Sequence, residues 1–313
     1  MIEPHSSFVD ADNVRLHYLE WSSTSIEDPA LPLDIATSMS DTSDNIPVVL
    51  LHGLGSTAAT WRLVAQELCQ LYPVIAFDLR GHGQSDQPAD GYGLVEIAED
   101  VICAMAKLGF GQVAIVAHGW GARVALVLAA RHPALVSHLI LVDCPHIEPR
   151  HWPDMTRERF ICEKSAETTY PSLTNYLDAL HDEMSTFWSS DVEAIVRTYV
   201  RELPDGRVEE LLQPEQQAKV RASLWEDRAL SYYGKLACPV LLVPAADKPR
   251  SDEDLPERLE DADEFAAAKG QMAAQVARAI QRCSVLWMPA TSHDIQLQRP
   301  QILAQAIINF LKA

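Results

Sequence analysis

The sequence predicts an α/β fold: a doubly wound, mostly parallel sheet with a helical cap inserted between two core strands. Three observations carry this expectation. Short uninterrupted apolar runs, such as Val113 to Ala117 and Val240 to Val243, read as strands buried on both faces. Stretches with helical apolar spacing alternate with them, the pattern of crossover helices in a parallel sheet. From about His146 to Tyr233 the alternation stops, and a helical, aromatic-rich segment intervenes.

In chain order, Phe8-Val9 and Val14 to Trp21 flank the turn-rich Asp10-Ala11-Asp12-Asn13 and predict a hairpin. Ser22 to Asn45 is rich in Ser, Thr, Asp and Pro without periodicity, so a long surface loop is expected there. Val48 to Leu51 predicts the first buried strand, Trp61 to Leu71 a helix, and Val74 to Asp78 the next strand. Leu94 to Leu108 has helical spacing, Val113 to Ala117 is the next strand, and Ala122 to Ala130 continues as an apolar helix. Leu139 to Asp143 is a further strand. The cap follows, and its aromatics (Trp152, Phe160, Tyr176 and Trp188 among them) mostly serve its own core, with a minority facing a pocket beneath. No strand-like run is read within it. The core resumes with Val240 to Val243, a helix over Phe265 to Gln281, a strand over Ser284 to Met288, and a closing helix over Ile302 to Leu311. The predicted divisions are 1–145 and 234–313 for the two parts of the core and 146–233 for the cap.

Composition narrows the function classes. The 313 residues are 48% apolar, ample for one large core, and carry a net charge of −19. That charge argues against nucleic acid or an anionic membrane as partner, and mostly serves as a solvated surface. Six scattered cysteines without a C-x-x-C spacing suggest buried free thiols in a reducing compartment, so a cytoplasmic location is expected. The stretch M-I-E-P-H-S-S lacks a basic region followed by an apolar run, and no uncharged apolar stretch approaches membrane-spanning length.

Four motifs stand in order along the chain: H-G-L-G at 52–55, D-L-R-G-H-G-Q-S at 78–85, A-H-G-W-G at 117–121 and T-S-H-D at 291–294. Together they resemble the α/β-hydrolase superfamily from about residue 7 to the C-terminus. In that superfamily a strained strand-to-helix turn, normally G-x-S-x-G, holds the nucleophile above the sheet. Here the nucleophile position is Gly119, which has no atom to attack with. The resemblance implies that His293 is the general base. It implies that an acid after the post-cap strand orients the base, with Asp247 favoured and Asp252, Asp254 and Asp143 as fallbacks. The backbone N–H groups of Leu54 and Trp120 would form the oxyanion hole. Asp78 to Ser85 is read as a structural turn. His52 and His118 are read as structural rather than catalytic. No cofactor and no metal are implied, and the expected partner is a small apolar substrate.

Two lineages would fit position 119. Serine gives an esterase, lactonase or amidase; aspartate gives an epoxide hydrolase or dehalogenase. Trp120 favours aspartate, whereas Gly55 in place of a proline and the D-L-R-G-H-G-Q-S stretch favour serine, the better match. Glycine adopts the positive φ of such a turn without steric cost, so the fold should survive the substitution. Three functions remain open: an ester or lactone hydrolase inactivated at its nucleophile (the favoured one), a ligand-binding pseudoenzyme, and a nucleophile-free enzyme that uses His293 directly as a base.

Overall fold

The computed structural model describes residues 2–22, 46–144, 148, 150, 155–162, 169–246 and 262–313. Eight strands form the main sheet. They are β1 (His5–Ala11), β2 (Val14–Trp21), β3 (Val48–Leu51), β4 (Val74–Phe77), β5 (Val113–His118), β6 (Val136–Val142), β10 (Val240–Val243) and β12 (Cys283–Val285). Their spatial order is β1-β2-β4-β3-β5-β6-β10-β12. The β1–β2 hairpin is antiparallel, as is the β2–β4 pairing, and every pairing from β4 to β12 is parallel. The hairpin turns at Asp12, at φ 52°. The expected loop over 22–45 lies almost wholly outside the described residues.

Alternation along each central strand feeds two separate layers. Val49, Leu51, Val113, Ile115 and Ala117 pack against α2 (Leu94–Lys107) and α3 (Gly119–Arg131). Val48, Leu50, Ala114 and Val116 pack on the opposite face against α1 (Arg62–Leu68) and α11 (Pro300–Leu311). Both faces are therefore covered, which is why these strands are apolar without a break. After β3 the chain first adds β4 on one side and then β5 on the other. Where a parallel sheet reverses its winding in this way, the carboxyl ends of the two strands leave a crevice.

Between β6 and β10 the described residues form α4 (Arg157–Cys162), α5 (Leu173–Glu183), α6 (Ser190–Val196), α7 (Pro214–Glu226) and α8 (Leu230–Tyr233). They also form a three-stranded sheet in the order β7-β9-β8, from β7 (Thr169–Tyr170), β8 (Val200–Glu202) and β9 (Val208–Glu210). This corrects the expectation of a strand-free segment. The β8–β9 hairpin turns through Pro204-Asp205-Gly206, with Gly206 at φ 86°. A Pro-Asp-Gly turn is a sequence signal for such a connection, but strands this short carry no readable alternation.

The segment grips the core on two sides. Met184, Val192, Ile195 and Val196 cluster with Leu297 of α10 (Ile295–Gln298), and Thr198 Oγ1 lies 2.7 Å from Thr57 Oγ1. On the other side Phe160, Val220, Leu224 and Tyr233 join the core cluster that contains Trp120, beside a buried Arg123–Asp227 ion pair. Many of its aromatics pair internally, as Phe160 does with Trp225 and Tyr170 with Tyr176. The remaining elements are β11 (Ala245–Ala246), β13 (Met288–Pro289), paired parallel with it, and α9 (Ala262–Ala279). Among the described residues no helix is long and apolar enough to cross a membrane.

Candidate active site

Strand β5 runs directly into α3, and the joint is Gly119 at φ 52°. That left-handed conformation is unfavourable for any residue with a Cβ, so the neighbourhood imposes it. Gly121 shows what the neighbourhood is: a Cβ there would stand 2.2 Å from the backbone oxygen of His52. Only glycine lets the first turn of α3 press against the end of β3. The β3 turn is locked in place by His52, whose Nδ1–H donates to the Gly53 carbonyl at 2.7 Å and whose Nε2 accepts from the Leu79 amide at 2.9 Å. Burial pushes the His52 pKa down, which keeps this neutral tautomer. Leu54 follows on the same turn and packs against the cluster containing Trp120. Trp120 is the second residue of α3, so its amide is among those with no acceptor inside the helix.

His293 arrives from the other end of the chain. After β13 the backbone bends at Ala290, φ 51°, and places residues 291–294 beside the elbow. His118 Nε2–H donates to the His293 carbonyl at 3.0 Å, and the two rings lie 4.3 Å apart. Burial first, and then the neighbouring His293, push His118 down to about 4, so it stays a neutral prop for the loop. His293 Nε2 faces Gly119: a Cβ built on the glycine would lie 3.2 Å from it, and 3.8 Å from Gly53 Cα. The imidazole is open to solvent, its side chain 59% exposed.

Among the described residues Asp143 brings a carboxylate to His293. Its Oδ2 lies 2.7 Å from His293 Nδ1, and its Oδ1 accepts from the Ala245 amide at 2.9 Å. Its own amide donates to the Val243 carbonyl, and its φ is 37°. A non-glycine residue held there by three contacts is a deliberately aimed side chain. The sequence favoured Asp247 for this contact. Asp247, Asp252 and Asp254 lie outside the described residues; among the described residues the fallback Asp143 makes this contact. The reason is register: Val142 of β6 pairs with Val243 of β10, so residues just past either strand emerge side by side. Spacing along the chain does not distinguish them.

Sequence reasoning missed a second His–Asp pair. His17 Nδ1 lies 2.7 Å from Asp78 Oδ2, inside the turn read as structural. The Ala58 amide donates to Asp78 Oδ1 at 2.6 Å and the Gln84 amide to Oδ2 at 2.9 Å. Burial alone would raise the Asp78 carboxyl, but the His17 hydrogen bond and these amides outweigh it and hold the group below the usual carboxylate range. Arg80 completes the turn through a buried bidentate pair with Asp100, both contacts 2.7 Å. His82, pushed down to about 3 chiefly by burial, stacks on Trp120 with ring centroids 5.0 Å apart.

A parallel sheet whose winding reverses at β3, a tight elbow after β5, and a late histidine beside it on a strand-end carboxylate make up the layout of an α/β-hydrolase fold. The chain belongs to the alpha/beta hydrolase fold family, whose model matches residues 46–272. An uncharacterized protein of Mycobacterium tuberculosis is 41% identical over 96 residues, which are 31% of this chain and 28% of that protein. A soluble epoxide hydrolase of a Corynebacterium species is 38% identical over 97 residues, 31% of this chain and 34% of that enzyme. The chain thus spans about a third of the length of these curated relatives. Among solved structures, that of E-2-(acetamidomethylene)succinate hydrolase matches with a TM-score of 0.75 at 20% identity, covering 99% of this chain and 100% of that one. At that identity the likeness concerns the fold.

Proposed function

We propose that this chain is an α/β-hydrolase built for a small apolar ester or lactone, complete except for the nucleophile at position 119. The observation that carries the reading is the 3.2 Å between His293 Nε2 and the Cβ position of Gly119, with Asp143 on the other imidazole nitrogen. A serine side chain there would reach the base that the fold holds ready. His293 would take the serine proton, Asp143 would orient the imidazole, and the Leu54 and Trp120 amides would hold the tetrahedral oxyanion. The glycine form binds substrate and turns it over very slowly. It is tested by single-turnover kinetics of the glycine form and of Gly119→Ser on a panel of aryl esters and lactones. Tight binding with no gain in Gly119→Ser would instead support a non-catalytic binding protein.

Two observations favour a second lineage. Trp120 follows position 119, and a partial relative is a soluble epoxide hydrolase. In that case Gly119→Asp, assayed on epoxides and haloalkanes, gains activity and Gly119→Ser does not.

A further inference from the structure

We propose that Ser6, His17 and Asp78 form a second nucleophilic relay, on the β1–β2 hairpin, that makes Ser6 acylatable by small activated esters. Ser6 Oγ lies 2.8 Å from His17 Nε2, and His17 Nδ1 lies 2.7 Å from Asp78 Oδ2. These are the two contacts that a Ser-His-Asp constellation requires, and such constellations are recognised by geometry rather than by chain order. Asp78 accepts the Nδ1 proton, so Nε2 carries the lone pair and the Ser6 hydroxyl donates to it. The pair cannot drift: the His17 amide donates to Ser85 Oγ at 2.8 Å, Ser85 Oγ donates to the Asp78 carbonyl at 2.6 Å, and the Asp78 amide donates to the His17 carbonyl at 2.9 Å.

The arrangement follows from strand register. Phe8 pairs with His17 across the hairpin, and Ser6, two residues before Phe8, shares that face as its diagonal neighbour. His17 and Asp78 are buried while Ser6 is exposed, so the base is shielded and the nucleophile is accessible. Gln84 Nε2 stands 3.4 Å from His17 Nε2 and supplies an amide donor beside the attack point. Phe8, 38% exposed, and the Arg15 guanidinium, 4.2 Å above its ring, offer an aryl leaving group an apolar and cationic neighbour. β1 is four strands away from β5, roughly 20 Å at ordinary strand spacing, so this place is separate from Gly119.

In the step, Ser6 Oγ bonds to the acyl carbon and its proton passes to His17 Nε2. The ester C–O bond breaks, and the departing phenolate takes that proton to leave as the phenol. With the Gln84 side-chain amide as the donor beside the developing oxyanion, in place of a preorganised oxyanion hole, hydrolysis of the acyl-serine is slow and the adduct accumulates.

The test is incubation of the full chain with 4-nitrophenyl acetate, followed by mass-spectrometric mapping of the acetylated residues. Ser7, its neighbour on the opposite strand face, is the internal control. Ser6 is expected to acetylate about 10²-fold faster than Ser7, the smaller end of what a positioned general base contributes. Ser6→Ala removes the adduct, and His17→Gln brings Ser6 down to the rate of Ser7. In urea the ratio falls to about one, and in the folded chain Ser6 also outpaces the likewise exposed Ser190 by about the same factor, so that exposure alone does not account for the rate even if His17→Gln does not fold. Equal rates at Ser6 and Ser7 in the folded chain, or a ratio unchanged by urea or by His17→Gln, overturn the relay.

Discussion

The molecule holds two His–Asp pairs with the same 2.7 Å contact between Nδ1 and Oδ2, and they have opposite surroundings. In the hairpin pair both side chains are 3% exposed, the carboxylate is filled by backbone amides, and a serine hydroxyl covers Nε2. In the elbow pair the carboxylate is buried but the imidazole is 59% exposed, and Nε2 faces a glycine. The far nitrogen of the hairpin pair meets a serine hydroxyl, while that of the elbow pair meets a glycine with no side chain. The distance between histidine and carboxylate does not make a catalytic site; what the far nitrogen meets does.

The largest expected effect comes from supplying the missing atom. Gly119→Ser should raise single-turnover ester or lactone cleavage on the order of 10⁴-fold or more, since deleting a serine nucleophile elsewhere costs up to about 10⁶. No gain from either serine or aspartate would mean that the elbow pair does not serve a nucleophile at position 119. In the Gly119→Ser background, Asp143→Asn should then cost about 10⁴-fold in kcat, because an amide stabilises the wrong imidazole tautomer. A loss of that size from Asp247→Asn, with Asp143→Asn mild, would move the orienting role off Asp143.

A smaller effect separates the pairs by stability. His17→Ala leaves Asp78 buried without its partner and should cost about 3 kcal/mol in urea unfolding, whereas His293→Ala, at an exposed imidazole, should cost under about 1 kcal/mol. The pH dependence has a definite sign. His82 and His118 are held near 3 and 4, below their ordinary 6.5, so the unfolded chain binds protons that the folded chain refuses. Their contribution is complete above pH 6.5 and fades as pH falls towards those values. Asp78 is depressed as well, so its contribution is present above its ordinary 3.8 and is lost below that, as pH falls through its lowered folded value. Urea midpoints between pH 7 and 3 check both; a flat profile would contradict these assignments. Gly121→Ala should cost at least as much as His17→Ala, about 3 kcal/mol, because the new methyl would stand 2.2 Å from the backbone oxygen of His52. In the Gly119→Ser background it should also lower kcat by displacing the oxyanion turn.

Local chemistry was enough for much of this. Apolar runs of four to six residues announced β3, β4, β5 and β10, since a strand covered on both faces has no polar positions. The glycines of the elbow and the late His293 were readable for the same reason: a turn's needs are written in neighbouring residues. Choosing Asp143 was beyond sequence, because 150 positions separate it from His293 and only the pairing of β6 with β10 brings the strand ends together. The contact of His17 with Asp78, 61 residues apart, likewise depends on β2 lying beside β4. Sequence by itself therefore determined the layers and the elbow, and pointed to the late His293 that lies beside it. Tertiary structure decided which carboxylate each histidine meets and what its other nitrogen faces, because those partners are set by strand order and register, which no local window contains.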